Sequence, residues 1–186
     1  MRIITGRAKG LKLKTPTGMN TRPTADRIKE SLFNILTGII TFENKIILDL
    51  FSGTGALGLE AISRGASKCT FVDLKTSNLI KENSIKAHFE DESEIIAGEA
   101  FKVLNQLNKE AKQYDLIFCD PPYHLGLWQR ALIEIDRLEV LSGAGLIVVE
   151  HGADEQIETS FMSLELMRQV SYGRTTAIEI FKRKVE

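Results

Sequence analysis

The chain has 186 residues, which is enough for one sizeable hydrophobic core or for one core with a small appendage. Its composition, 43% hydrophobic and 26% charged, is that of an ordinary globular protein. No apolar run approaches the roughly 18–20 residues of a membrane span, and no signal-peptide pattern opens the chain. We therefore expect a cytoplasmic protein without a membrane partner.

The cysteines and histidines do not form a pattern typical of metal binding. Cys69 and Cys119 each lie within an apolar, strand-like run, which favours two reduced thiols in the core. The three histidines show no spacing typical of zinc ligands. We predict no metal site.

Positive charge is concentrated at the N-terminus. Residues 1–35 hold eight Lys or Arg against two acids, a balance of +6 in a chain whose net charge is −1. The remaining residues therefore carry −7. A basic end on a mildly acidic body is expected of a nucleic-acid-binding extension on a larger domain, although a solvated basic hairpin without a partner has the same charge. The candidate RNA-binding residues are Arg7, Lys9, Lys12, Lys14, Arg22 and Arg27.

The first forty residues are predicted to form a separate unit, a basic hairpin followed by a helix. Residues 1–18 alternate apolar and basic stretches between glycines, which indicates a β-hairpin or two short strands. Thr24 is the expected N-cap of the helix. Its apolar stripe should dock on the main domain, residues 41–186, through Ile28, Leu32, Ile35 and Leu36.

Strands and helices alternate from residue 44 onward. Strands are predicted at 46–51, 68–72, 94–97, 114–119 and 145–150, and helices at 56–64, 77–89, 101–112 and 127–138. Two last apolar runs, 164–172 and 175–181, are joined by Gly173-Arg174 and indicate an antiparallel hairpin. The predicted fold class is α/β, a Rossmann-like, doubly wound, mostly parallel sheet with a small basic N-terminal extension.

A glycine-rich turn follows the first predicted strand. The sequence DLFSGTGALG, residues 49–58, contains GxGxxG between strand and helix, and Asp73 follows twenty residues after Gly53. This is the dinucleotide fingerprint, in which glycines allow the tight turn and an acid binds ribose hydroxyls. The fingerprint is compatible with an enzyme that binds NAD and with one that binds S-adenosylmethionine. Asp49 favours S-adenosylmethionine, because a carboxylate attracts the cationic amino-acid end of that cofactor but repels the pyrophosphate of NAD.

Asp120-Pro121-Pro122-Tyr123 directly follows the fourth predicted strand. Two consecutive prolines prevent strand continuation and an immediate helix, so the turn is stiff and extended. It lies at the carboxyl edge of the sheet, where open α/β sheets bind ligands. Asp120 and the Pro121 carbonyl could accept both N–H groups of an exocyclic amine and aim its lone pair at a methyl group, while Tyr123 stacks on the base.

The combined motifs resemble a known family. DPPY after a fourth strand, with DLFSGTGALGLEA upstream, is similar to methyltransferases that modify exocyclic nitrogens of nucleic acids. The N-terminal RIITGRAKGLKLKTP and RPTADRIKESLFNIL resemble bacterial small-subunit (16S) ribosomal RNA guanine-N2 methyltransferases of the RsmD type. The resemblance covers essentially the whole chain and implies S-adenosylmethionine as cofactor. It also implies small-subunit RNA or an assembling small subunit as partner, for an enzyme that we expect to be a monomer.

The resemblance also implies roles for individual residues. Asp49, Gly53 and Gly55 are expected at the methionine end of the cofactor, Asp73 at the ribose, and Glu99 with Ala100 at the adenine. Asp120, Pro121, Pro122 and Tyr123 are expected to form the catalytic turn. Arg22 and Thr24 belong to an N-terminal signature near the cofactor and the RNA entrance. Glu99 departs from the family, in which a shorter Asp or Asn is expected.

Several alternatives remain open at this point. A DNA adenine-N6 or cytosine-N4 methyltransferase uses a similar turn, but this chain has little room for a large sequence-reading domain. Methylation of a protein glutamine favours Asn at the position of Asp120. An NAD-linked oxidoreductase would share the glycine turn, but no Tyr-x-x-x-Lys follows it. A non-catalytic RNA-binding module would share the basic end.

Overall fold

The computed structural model describes residues 1–16, 23–156 and 160–184. The helices are α1 (Pro23–Thr37), α2 (Ala56–Ser63), α3 (Ser77–Ala87), α4 (Ala100–Lys109) and α5 (Leu127–Arg137). The strands are β1 (Ile46–Leu50), β2 (Lys68–Asp73), β3 (Ser93–Ala97), β4 (Tyr114–Cys119), β5 (Leu141–Gly152), β6 (Leu164–Tyr172) and β7 (Thr176–Arg183).

The strands form one sheet in the order β3-β2-β1-β4-β5-β7-β6. The first five are parallel, whereas β7 runs antiparallel to both β5 and β6. The predicted doubly wound sheet with a terminal antiparallel hairpin is confirmed. Short apolar runs become central strands here because helices cover both of their faces and leave no room for alternating polar residues.

The two faces of the sheet carry separate cores. One core joins Ile3 and Leu13 of the N-terminal segment and the apolar stripe of α1 to α2 and the sheet, with the rings of Phe33 and Phe118 5.7 Å apart. The other core packs α4 and α5 against the opposite face. The chain therefore leaves β1 toward one face and β4 toward the other. Adjacent strands that diverge in this way open a crevice at their carboxyl ends, where α/β sheets bind ligands.

Three local details differ from the sequence-based expectations. Within residues 1–16, the basic N-terminal segment pairs through one antiparallel bridge, Arg2 with Lys12, and not through regular strands. The prediction of Thr24 as the N-cap of α1 is wrong, because the helix already begins at Pro23, whose fixed φ suits a first helical position. Strand β5 begins at Leu141 and not after the glycines, because Leu141 pairs with Tyr114 across a bulge.

Glu60 fastens the N-terminal segment and α1 to the main domain. Its buried carboxylate accepts hydrogen bonds from the backbone amides of Ile4 and Thr5, at 2.7 and 3.0 Å. It also pairs with Lys29 of α1 at 3.2 Å and with Arg64 at 2.8 Å. The basic extension is thus tied to α2 by a buried charge cluster as well as by apolar packing.

Cys69 and Cys119 are both buried and free, as predicted for core thiols. Among the described residues, no helix has the length and hydropathy that crossing a membrane would require.

Candidate active site

The glycine turn after β1 has the backbone conformation that its sequence predicts. Gly53 and Gly55 have φ values of 54° and 77°, in the left-handed region that glycine adopts at no steric cost. Gly58 serves a different purpose, since a Cβ atom there would lie 2.3 Å from Phe71 Cε1 and 2.5 Å from Cys69 Sγ. The missing side chain lets α2 pack directly on β2. A Cβ at Gly53, in contrast, would meet only the Phe51 carbonyl, at 4.0 Å, so the turn is open at that point.

Asp49 lies beneath this turn. It is buried, and its Oδ2 accepts a hydrogen bond from the Gly58 amide at 3.0 Å. Burial, and to a smaller extent repulsion from Asp73, raises the pKa of Asp49 to about 7 although the Gly58 amide acts to lower it. A buried carboxyl with a raised pKa gains most from a neighbouring positive charge, so Asp49 fits the cationic end of S-adenosylmethionine.

Asp73 ends β2 and receives three backbone amides. Gly53 donates to Oδ2 at 3.0 Å, while Lys75 and Thr76 donate to Oδ1 at 2.8 and 2.9 Å. Burial acts to raise the pKa of Asp73, but these donors outweigh it and hold the pKa below its usual value. Asp73 therefore stays ionised and is fixed beside the glycine turn, with the chemistry required to accept hydrogen bonds from ribose hydroxyls.

Glu99 and Ala100 lie where β3 passes into α4. Glu99 is the N-cap of α4, and its two oxygens accept from the amides of Phe101 and Lys102 at 3.2 and 3.0 Å. Ala100, the first residue of α4, is buried in the core on this face of the sheet. The Glu99 carboxylate thus already has a structural role that satisfies the free amides of the helix N-terminus. Its predicted adenine contact stays a prediction.

The turn Asp120–Tyr123 follows β4 at the same edge of the sheet. Cys119, the last residue of β4, pairs with Leu50, the last residue of β1. The next residue, Asp120, therefore lies beside the glycine turn that follows β1. Asp120 and Pro122 are exposed, Pro121 is buried and Tyr123 is half-buried. The Tyr123 hydroxyl donates to Glu150 on β5 and lies 3.3 Å from Thr176 Oγ1 on β7. The hydroxyl end of the Tyr123 ring is therefore held by side chains of β5 and β7.

Acidic residues dominate the electrostatics of this edge. The Asp120 side chain is exposed on one side only; partial desolvation by the protein around it, then repulsion from Glu150 and Asp49, raises the pKa of Asp120 above its usual range. Asp120 keeps an exposed side, through which solvent screens part of this repulsion. The described residues contain no group of three His, Cys, Asp or Glu arranged to hold a metal ion. Positive charge on a ligand is what this edge would stabilise.

Those predicted RNA-binding residues that the structure describes lie on the surface of the N-terminal segment and α1. Arg7 pairs with Glu92 at 2.7 Å and covers the Phe89 ring, and Lys14 pairs with Glu82 at 2.8 Å. Lys9, Lys12 and Arg27 are exposed and make no ion pair within the described residues. Arg22 lies outside the described residues, and for Thr24 only its position in α1 is described.

Two residues of this region escaped the sequence-based prediction. Asn83 of α3 is buried and bonds to the backbone of both Lys14 and Thr54, so it joins the basic segment to the glycine turn. Glu150 holds Tyr123. A signal for Glu150 was present, because it comes at the end of the apolar run of the predicted strand 145–150, as Asp73 and Asp120 directly follow theirs.

The sheet order, the glycine turn with its acids and the Asp120–Tyr123 turn define the class as the Rossmann-like fold of methyltransferases. Solved structures with this fold include protein TTHA0928 of Thermus thermophilus, at TM-score 0.82 and 26% identity, covering 98% of this chain and 99% of that one. A SAM-dependent methyltransferase of Agrobacterium tumefaciens shares the fold at TM-score 0.61 and 22% identity, covering 88% of this chain and 63% of that one.

Sequence relatives narrow the class to one family. The family described as "Conserved hypothetical protein 95" matches residues 1–181. Ribosomal RNA small subunit methyltransferase D of Haemophilus influenzae is 37% identical over 163 residues, covering 86% of this chain and 82% of the relative. The Escherichia coli K12 protein of the same name is 31% identical over 190 aligned positions, covering 100% of this chain and 91% of the relative. The chain belongs to this family, the RsmD family.

Proposed function

We propose that this protein methylates the exocyclic N2 amine of a guanine in small-subunit ribosomal RNA. The observation that carries the proposal is the meeting of the glycine turn and the Asp120–Tyr123 turn at one crevice, between β1 and β4, in an RsmD-family chain. The names of the relatives support the ribosomal RNA substrate. The choice of guanine N2 is supported by the resemblance to the RsmD type.

S-adenosylmethionine supplies an electrophilic methyl group on a sulfonium. The residues around the glycine turn fit it, because Gly53 leaves open space while Asp49 and Asp73 provide carboxylates for its cationic and hydroxyl groups. Glu99 and Ala100, at the start of α4, are proposed to border the same pocket on its adenine side. Arg22 and Thr24 are proposed to close it from the N-terminal side.

The Asp120–Tyr123 turn prepares the amine for reaction. The lone pair of an exocyclic amine is delocalised into the ring, so the amine reacts only when it is held in a suitable orientation. Asp120 and the Pro121 carbonyl accept its two N–H bonds, Pro122 stiffens the turn, and the Tyr123 ring stacks on the base. As the N2–C bond forms, the S–C bond to the methyl group would break and sulfur would keep its electron pair. N2 would then be cationic, and Asp120 would accept the proton that restores its neutrality. In its ionised form, an Asp120 with a raised pKa is a stronger base than an ordinary carboxylate.

The basic N-terminal segment contacts phosphates and the pocket selects the base. Arg7, Lys9, Lys12, Lys14, Arg22 and Arg27 form the proposed phosphate contacts. The enzyme acts as a monomer on naked RNA or an assembling subunit, and this substrate places the reaction in the cytoplasm.

The decisive experiment is methylation of stripped ribosomal RNA and of isolated small subunits with labelled cofactor, followed by nucleoside analysis. We expect N2-methylguanosine as the product. Asp120→Ala should nearly abolish transfer and leave cofactor affinity, measured by calorimetry, close to that of the wild type. Label in another nucleoside, or full activity of Asp120→Ala, would contradict the proposal. Tighter binding of NAD than of S-adenosylmethionine would contradict the enzyme class.

A further inference from the structure

Glu150 is an acidic residue at the catalytic edge that neither the glycine turn nor the Asp120–Tyr123 turn contains. It is the third residue from the end of β5 and is half-buried. Cys119 pairs with Val149 in the parallel sheet, so the next residues of the two strands, Asp120 and Glu150, lie side by side. A second carboxylate thus stands directly beside the one proposed to hold the amine.

Glu150 also accepts the hydrogen bond from the Tyr123 hydroxyl. Thr176 at the start of β7 lies 3.3 Å from the same hydroxyl and is buried. Tyr123 lies outside any helix or strand, and His124 and Gly126, which follow it before α5, have positive φ values. The phenol contact therefore connects a ring on an irregular turn to two strands of the sheet.

We propose that Glu150 is a positioning residue of the methyl-transfer site, which fixes the Tyr123 ring through its phenol and places a negative charge beside Asp120. The inference rests on the proposed function and deepens it. Orientation of the ring determines where a stacked base and its amine lie, and small displacements of a reacting group cost much of the rate. The charge of Glu150 favours Asp120 as proton acceptor.

The groups that face Glu150 support this role. Burial raises the pKa of Glu150, while the Tyr123 phenol and His151 act to lower it. Asp120 and, behind it, Asp49 contribute negative charge from β4 and β1. His151, the next residue of β5, is buried, stacks on Trp128 of α5 at 4.2 Å and has its Nε2 3.6 Å from Glu179 of β7. The phenol is therefore the direct donor that stabilises ionised Glu150 next to Asp120.

Matched variants separate positioning from charge. Glu150→Gln keeps the shape and an oxygen acceptor for the phenol but removes the charge. We expect the acid limb of the kcat/KM profile, which reports Asp120, to move by about one unit to lower pH. Glu150→Ala also removes the anchor, so kcat should fall about tenfold with unchanged cofactor affinity. Tyr123→Phe should lower kcat similarly, and should cost little more in the Glu150→Ala background, because both changes remove the same contact.

A second measurement needs no substrate. In protein labelled with fluorotyrosine, the Tyr123 resonance, assigned by its loss in Tyr123→Phe, should titrate at lower pH in Glu150→Gln than in the wild type. Glu139→Gln, at an exposed position two residues before β5 begins, is the control and should match the wild type in both experiments. Equal acid limbs, equal kcat values and equal titrations of wild type and Glu150 variants would overturn the inference. A wild type that does not methylate RNA would instead refute the proposed function.

Discussion

Asn83 and Lys14 exchange two hydrogen bonds across 69 residues of sequence. The Lys14 amide donates to Asn83 Oδ1 at 2.7 Å, and Asn83 Nδ2 donates back to the Lys14 carbonyl at 3.0 Å. The same Nδ2 donates to the Thr54 carbonyl in the glycine turn at 2.9 Å. A single buried amide therefore connects the basic N-terminal segment to the proposed cofactor pocket.

Removal of this amide should loosen both segments. Asn83→Ala removes three hydrogen bonds of a buried side chain to the backbone of Lys14 and Thr54, so the free energy of unfolding should fall by about 2 kcal/mol. Urea unfolding measures this loss, and calorimetry should show severalfold weaker binding of S-adenosylmethionine. Asn78→Ala, an exposed position of the same helix, is the control and should change neither quantity. Equal stabilities of the two variants would contradict the connecting role.

Gly58 should tolerate no side chain, because the added Cβ would overlap Phe71 and Cys69. Gly58→Ala forces α2 away from β2 and should destabilise the protein by about 1–3 kcal/mol. Gly143→Ala introduces the same methyl group where nothing lies within 4 Å, and should be neutral. Thermal and urea unfolding of both variants test this difference. A Gly58→Ala variant as stable as Gly143→Ala would contradict the close packing of α2 on β2.

The pH dependence of stability should reveal Asp49. Its pKa is raised from 3.8 to about 7 in the folded protein, so between these values the folded state holds a proton that the unfolded state has lost. The free energy of unfolding should therefore decrease, as pH rises through this range, by about 1.4 kcal/mol per unit from this group. Asp49→Asn should remove that slope.

Asp73 provides a control of opposite sign. Its pKa is lowered on folding, so its contribution is present above the unfolded pKa and is lost as pH falls through the folded pKa. In Asp73→Asn, the free energy of unfolding should depend less on pH only in the acid range where Asp73 titrates. The decrease that Asp49 causes at higher pH should remain. A wild-type slope in Asp49→Asn between pH 4 and about 7 would show that another group causes it.

Lys9 and Lys12 should contribute directly to the salt dependence of RNA binding, because neither forms an ion pair within the described part of the chain. Reversing both to Glu should weaken binding and make the slope of log K against log salt shallower by about two. Lys102→Glu with Lys109→Glu, on α4 at the other face of the sheet, applies the same charge change. Filter binding over a salt series compares the two double variants with the wild type. Equal slopes of log K against log salt for the two double variants would exclude the N-terminal segment as the RNA contact.

Glu60 should matter more for stability than the exposed acids. Glu60→Gln leaves Lys29 and Arg64 without their buried anion, which should cost about 3 kcal/mol of unfolding free energy. Glu82→Gln breaks only the exposed pair with Lys14 and should cost less than about 1 kcal/mol. Faster proteolysis near residues 4 and 5 should accompany the Glu60 change, since one of their two amides faces an NH2 group in place of its oxygen acceptor. Equal unfolding midpoints for both variants would contradict this ranking.

The sequence by itself determined the order of strands and helices, the glycine turn and the proline turn. These features are local, since apolar runs of strand length, glycines with positive φ and two consecutive prolines restrict the backbone over a few residues. The carboxyl ends of parallel strands share one edge of a sheet, so Asp49, Asp73 and Asp120 could be predicted to gather there. The start of α1 was predicted less well, because Pro23 and Thr24 both suit a helix N-terminus.

Only the tertiary structure decided what Glu150, Asn83 and Glu60 do. Their partners lie 27, 69 and 56 residues away, at Tyr123, Lys14 and Ile4. A polar side chain is buried only where its hydrogen bonds are satisfied, and those partners exist only after distant elements have packed. The sequence therefore shows that an acid ends the fifth strand, whereas the packed sheet places that acid beside Asp120 and against the Tyr123 phenol.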